Sequence, residues 1–264
     1  GCKNLACNEV DDVDGGQNGE DRSAEEKKEE KAGPSLDFAK LLLSPFTPLE
    51  EISERMWCQG GCGQSRKFFC YDCVIPFCDT PRVELPISFH SIRHQLEHKQ
   101  KSSAIPTKLL APDSIHLHTF PEIPEFNPAD TILLFPGKES KCVQEVDWTT
   151  YKNVVVIDST WSQTHAIVKH PFLKALPTVR IENRRTAFWR HQKHGQDFLS
   201  SVEAMYFLLL EHFNAVEKRE YDGRYDNLLW YFAFTHRLIT KKYHDSGMNF
   251  PRKKDWLQPR RRGN

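Results

Sequence analysis

No apolar run in this chain approaches the ~20 residues that a membrane helix needs. The first 33 residues hold no apolar stretch at all, so no secretory signal is expected. There is no Walker-type phosphate loop and no GxGxxG, which argues against P-loop and Rossmann-type nucleotide binding. No internal repeat is present, which argues against a solenoid. Net charge is also missing: 36 basic side chains balance 36 acidic ones. Position 1 is Gly rather than Met, so the native amino terminus is expected to be processed or to lie outside this chain. Eight Cys without a secretory signal point to an intracellular protein with metal-bound or free thiols rather than a disulfide scaffold.

At 264 residues the chain fits one large domain, or one domain with attachments. The zero net charge hides an asymmetry. Residues 1–33 hold ten acids and five bases, and the remainder holds 26 acids, 31 bases and all twelve His. The tail has too little apolar surface to offset the entropy of ordering, and disorder is expected over 1–33. A helical lead-in and a Cys-rich segment are expected over 34–80, the main domain over 81–246, and a basic tail over 247–264. Arg252-Lys253-Lys254 and Arg260-Arg261-Arg262 in that tail suit a nuclear localisation signal or an RNA contact, or simply solvation.

The strongest strand signal is Val154-Val155-Val156-Ile157, four β-branched residues in succession. It ends in Asp158-Ser159-Thr160-Trp161 and passes directly into a helix-compatible stretch, 162–169. A strand that hands over to a helix presents its last residues at the carboxyl edge of a sheet, where open α/β sheets bind ligands. Asp158 or Ser159 either caps the next helix or, in the case of Asp158, carries a function. Further strands are expected over 83–89, 115–120, 131–135 and 177–181, with a polar helix over 91–101. The strand over 131–135 stops at Phe135-Pro136-Gly137, which puts a second loop on the same edge. Two long helices are expected over 197–213 and 221–243. Ser200 or Ser201 is placed to cap the first, with Glu203 positioned for a capping box.

Two close cysteine pairs, Cys58/Cys62 and Cys70/Cys73, are separated by a hairpin-sized spacer. Four thiolates around a tetrahedral Zn²⁺ would staple a segment too small for its own core. Such a site is structural, because no coordination position is left open. Cys78 is an alternative ligand, since the first pair is one residue wider than the common spacing. Residues 180–194 carry five bases against one acid, interleaved with Phe188 and Trp189. That composition suits phosphate contacts and base stacking, or a solvated basic loop with its Trp in the core.

Taken together, Asp158-Ser159-Thr160-Trp161, Phe188-Trp189-Arg190-His191-Gln192 and Leu199-Ser200-Ser201-Val202-Glu203-Ala204 resemble the motifs of the DTW-domain family of tRNA-uridine aminocarboxypropyltransferases. The paired cysteines match as well, and the resemblance spans about residues 55–243. It departs from the family in the wider first Cys pair and in Ser201, where Thr is usual. The resemblance implies an α/β fold of the knotted SPOUT type: a mostly parallel sheet flanked by helices, behind a small zinc-ribbon-like segment. It implies S-adenosylmethionine as donor, tRNA as partner, structural zinc, and transfer of a 3-amino-3-carboxypropyl group to N3 of a D-loop uridine at position 20. No membrane association is expected, the nucleus is the expected compartment with the cytoplasm as the alternative, and a monomer is favoured. On that footing Asp158 is the candidate general base. Phe135, Pro136, Gly137, Ser159 and Thr160 are candidate walls of the donor pocket, and Trp161 either stacks on adenine or packs in the core. Arg184, Arg185, Trp189, Arg190 and Lys193 are candidate RNA contacts, with one arginine alternatively holding the donor carboxylate.

Overall fold

The computed structural model describes residues 33–189 and 198–246. The acidic stretch 1–32, Arg190, Lys193 and the basic stretch 247–264 lie outside the described residues.

Six parallel strands make the central sheet: β5 (Ser88–His94), β6 (Ile115–Phe120), β7 (Thr131–Leu134), β8 (Lys141–Cys142), β9 (Asn153–Asp158) and β10 (Thr178–Arg180). Four short strands precede them in the Cys-rich segment: β1 (Met56–Trp57), β2 (Ser65–Arg66), β3 (Phe69–Cys70) and β4 (Ile75–Pro76). The helices are α1 (Thr47–Glu50), α2 (Ile105–Leu110), α3 (Trp161–Val168), α4 (Pro171–Lys174), α5 (Ser201–Glu217) and α6 (Trp230–Asp245). The spatial order of the sheet is β6-β5-β9-β7-β10-β8. The β-branched run therefore lies at the centre, and Val154, Val155 and Val156 are all buried, as a strand covered on both faces requires.

Side-chain alternation divides the core in two. Phe89, Ile132, Val154 and Val156 face α5 and α6, in one cluster with Met205, Leu209 and Trp230. Ile92, Leu133 and Val155 point the other way, onto Ile167 of α3 and Leu173 of α4. α5 starts four residues after the expected 197, at the expected cap: Ser200 is its N-cap, and Glu203 completes the capping box. Asp226 fastens the lead-in to the domain. One of its oxygens accepts from the Tyr206 and Tyr221 hydroxyls at 2.7 and 2.8 Å, and the other accepts from the Leu42 N–H at 2.7 Å.

Two expectations fail around β5. The predicted strand over 83–89 starts five residues later, because Pro86 cannot donate to a ladder. Residues 91–94, expected to open a helix, continue the strand, and only a single 3₁₀ turn, Lys99–Lys101, follows. Its polar residues disguise β5, which pairs with β6 on one side and β9 on the other. His90 illustrates how that polarity is accommodated. Its ring stacks on His116 at 4.7 Å between centroids, and its nitrogens lie 3.0 Å from His118 Nε2 and 3.4 Å from Asn153 Oδ1. α2, for which the sequence gives no period long enough to read, packs Ile105, Leu109 and Leu110 into the core.

The histidine stack has a consequence for acid stability. Burial pushes His90 down to about 4 and lowers His116 and His118 as well. The unfolded chain, with His near ~6.5, takes up protons first as pH falls. Stability from these neutral rings is thus fully present above that value and is lost as pH drops towards the folded pKa. The denaturant midpoint should fall over that window, and replacing His90 by Gln should flatten the fall. A midpoint with the same pH profile in both proteins would contradict this.

Candidate active site

The carboxyl edge of the sheet collects residues far apart in sequence. β9 ends in Asp158, and its neighbour β7, in register through Leu134 and Val156, hands over to Phe135-Pro136-Gly137. The two loops predicted to share an edge therefore do. Asp158 is only 7% exposed. The Ser102 hydroxyl donates to its Oδ2 and the Ser201 hydroxyl to its Oδ1, each at 2.5 Å. Both serines are themselves half-buried. Burial raises the Asp158 carboxyl above the ordinary range, while the two serines and the nearby Arg93 pull the other way.

Asp158 is not a helix cap. Thr160 caps α3, its N–H and hydroxyl paired with Gln163 Oε1 at 3.2 and 2.8 Å. Of the two roles open to Asp158 from sequence, the capping role therefore falls to a neighbour. Ser159 places its hydroxyl 3.4 Å from Thr164 Oγ1. On the β7 side, Ser140 donates its hydroxyl to the Phe135 carbonyl at 2.8 Å and its N–H to the Gly137 carbonyl at 3.1 Å. A Cβ on Gly137 would lie 3.2 Å from Ser140 Oγ, so this turn is held close.

The amino end of α5 docks on the segment that carries Ser102. Val202 N–H donates to Ser103 Oγ at 3.2 Å, and Ser102 Oγ accepts from Ile105 N–H at 3.1 Å. Sequence singled out Ser201 only as a motif member and possible cap, and did not single out Ser102. Nothing in a polar pair such as Ser102-Ser103 marks it as a site before the fold brings it to Asp158.

Glu203 ties the basic-aromatic stretch to the same helix end. Buried completely, it accepts from the Ser200 N–H and hydroxyl, the Thr186 hydroxyl and the Ala187 N–H, at 2.6–2.8 Å. Beyond this anchor, Trp189 packs on Phe188 and Phe232, with centroids 4.8 and 5.2 Å away. Arg184 turns inward, 3.5 Å from Glu211 and 4.8 Å from the centre of the Phe207 ring. Arg185 donates its backbone N–H to the Pro34 carbonyl at 3.3 Å and is half-buried.

The four expected thiols do come together. The ligand atoms of Cys58, Cys62, Cys70 and Cys73 all lie within 4.8 Å of one another. Cys62 and Cys70 sulfurs are 3.6 Å apart, close to the ~3.8 Å edge of a ZnS₄ tetrahedron with ~2.3 Å bonds. Backbone N–H groups of Gly60 and Cys73 point at Cys58 and Cys70 sulfurs at 3.3 and 3.4 Å. A Cβ on Gly60 would meet Cys73 Sγ at 2.8 Å, so only glycine leaves room for this knuckle. Gly61 and Gly63 hold φ of 81° and 65°, which the tight turn requires. The donor set fits a structural zinc. Cys78 is not part of the cluster; it packs against the main core.

No helix among the described residues is long and apolar enough to cross a membrane. The DTW domain family matches residues 67–240. The tRNA-uridine aminocarboxypropyltransferase 1 of Rattus norvegicus is 37% identical over 228 residues, which covers 67% of this chain and 75% of that protein. The protein of the same name from Homo sapiens is 34% identical over the same shares. That from Xenopus laevis is 30% identical over 287 residues, covering 86% of this chain and 98% of its own length. No solved structure matches. On the extent of these matches, and with Asp158 to Trp161 at the end of the central strand, the chain belongs to the DTW-domain family.

Proposed function

We propose that this chain transfers the 3-amino-3-carboxypropyl group of S-adenosylmethionine to N3 of a uridine in tRNA. The observation that carries the reading is Asp158, buried and hydroxyl-bonded at the carboxyl end of the central parallel strand, in a chain whose curated relatives bear that activity in their names. We also propose, from the resemblance of its motifs, that the parallel sheet is of the knotted SPOUT type.

S-adenosylmethionine supplies an electrophilic γ-carbon and a thioether leaving group. In the reaction the N3–Cγ bond forms and the Cγ–S bond breaks with its electron pair going to sulfur, which leaves methylthioadenosine. The protein's share is to orient the two reactants and to take the N3 proton. Asp158 is the base. Each of its oxygens accepts from one serine and keeps a second lone pair, so the proton reaches it directly or by relay, Ser201 or Ser102 receiving it while its own proton passes to the carboxylate. Phe135, Pro136, Gly137, Ser159 and Thr160, side by side on the edge, supply the donor's walls. Arg185, on the described part of the basic-aromatic stretch, contacts the tRNA, with Arg184 and Trp189 serving to hold residues 184–189 in place rather than to touch the substrate directly. In the Cys-rich segment Cys58, Cys62, Cys70 and Cys73 hold a structural zinc.

Incubating the protein with unmodified tRNA and donor labelled either in the methyl group or in the carboxyl carbon, then analysing nucleosides by mass spectrometry, tests the reading. Only the carboxyl-carbon label should enter uridine. Methyl label in the RNA would make the protein a methyltransferase, and no label with retained tRNA binding would make it an RNA-binding protein.

A further inference from the structure

An open cleft of about 620 Å³ lies between the Cys-rich hairpin and the segment that leaves β5. Gln64, Arg66 and Tyr71 form the hairpin wall, and Gln95, Lys99 and Gln100 the opposite one. Three features of this cleft bear on what it holds.

The first is its place. The segment lining it starts at Arg93, which pairs in register with Asp158, and runs on to Ser102, which donates to Asp158. From Gln100 to Ser102 the chain can span only about 7 Å. The cleft is therefore a neighbour of the carboxylate, on the β5 side, while the Phe135-Pro136-Gly137 turn lies on the β7 side of the same edge.

The second is its surface. The Arg66 guanidinium lies 4.2 Å over the centre of the Tyr71 ring, and Asp72 fixes it at 2.9 Å. An arginine guanidinium placed over an aromatic ring offers planar groups of the kind on which unstacked RNA bases settle. Around it stand the amide side chains of Gln64, Gln95 and Gln100, all exposed, each with a donor and an acceptor for a base edge. The third is charge. The lining holds Arg66, Arg93 and Lys99 against Asp72 and Glu97, with Asp72 shared by Arg66 at 2.9 Å and Lys99 at 3.6 Å, which leaves one cation in surplus. A cleft that combines a planar platform, amides and surplus cation suits a single-stranded nucleotide better than a peptide or an apolar ligand.

We propose that this cleft binds a nucleotide of the tRNA loop flanking the target uridine. The inference rests on tRNA being the substrate. It also gives the metal-ready hairpin a role: it fixes one wall of an RNA subsite beside the reacting base.

The test is direct binding of unmodified tRNA, and of a blunt RNA duplex without a loop, to the wild type, Tyr71→Ala, Lys99→Glu and Gln95→Ala. Zinc content and donor affinity are measured on each. Tyr71→Ala should weaken tRNA binding about tenfold, as loss of one stacking platform does. Lys99→Glu should weaken it with a shallower salt dependence. Gln95→Ala, on an exposed side chain, should weaken it about threefold without disturbing the fold. Duplex binding and donor affinity should stay as in the wild type. tRNA affinity within twofold of wild type in Lys99→Glu and Gln95→Ala overturns the proposal. So does a fall in donor affinity, which would give the cleft to the donor. Because RNA binding is measured apart from turnover, a wild type that binds tRNA but transfers no group would overturn the proposed reaction and leave the cleft standing.

Discussion

Asp158→Asn is expected to fold, to bind tRNA and donor as the wild type does, and to lose the single-turnover rate by about 10²–10⁴-fold. Asn keeps the size of the side chain. Its carbonyl can still accept from one serine, and its amide can donate to the other, which only needs to rotate its hydroxyl. Helix capping is untouched, because Thr160 performs it. What is removed is the ability to take a proton. Stability should not suffer through titration either. Burial raises the native carboxyl above its unfolded value, so the unfolded chain gives up that proton first as pH rises. The ionised group therefore costs native stability above the unfolded pKa, and a neutral Asn removes that cost. The same raised pKa predicts that the wild-type rate climbs with pH through a value above the ordinary carboxylate range and then levels. Ser201→Thr should retain the rate, since the hydroxyl remains, whereas Ser201→Ala should lose it in part. A near-wild-type rate in Asp158→Asn would remove Asp158 from proton transfer. A fall in donor affinity alongside the rate would instead make it a residue that orders the donor.

How far such a site can be read from sequence depends on where its partners lie. β6, β7, β9 and β10 were legible because short apolar or alternating runs bounded by turns leave few other choices. Asp158 was legible as a polar residue ending such a run. β5 was not, because a central strand that carries His90, Arg93 and His94 gains its place from two neighbours rather than from its own pattern. Ser102 and Ser201 lie 56 and 43 residues from Asp158 in the chain, beyond any local period. Arg184 shows the same limit in reverse. Its composition suggested RNA, but Glu211 and Phe207, more than twenty residues on, draw it inward. Glu203 was legible as a capping-box residue. Its second role, holding Thr186 and Ala187, needs the loop to fold back and could not be seen.

The second large effect is expected from the cysteine cluster. Purified protein should carry about one zinc per chain, and Cys70→Ser should lose it. Cys70 is fully buried, and its sulfur sits against both Cys62 and the Cys73 N–H, so the substitution strikes the middle of the donor set. The segment is expected to lose its shape without a bound ion. β1, β2, β3 and β4 are two residues each, and the hairpin meets the domain through few contacts, among them Phe68 on Phe234, Phe69 on Tyr231 and the partly exposed Asp72–Lys99 pair. Binding of a structural zinc is worth on the order of 10 kcal/mol, far more than two aromatic contacts at ~1 kcal/mol each. Metal loss should therefore open residues 56–76 to protease while the sheet stays protected. Cys78→Ser separates this account from its rival. Cys78 lies outside the cluster and packs on the core, so its replacement should leave one zinc bound. Zinc retained in Cys70→Ser and lost in Cys78→Ser would mean that Cys78 is the ligand. A wild type that stays protease-resistant in this segment after complete chelation would mean that the four thiols need no metal to hold the hairpin.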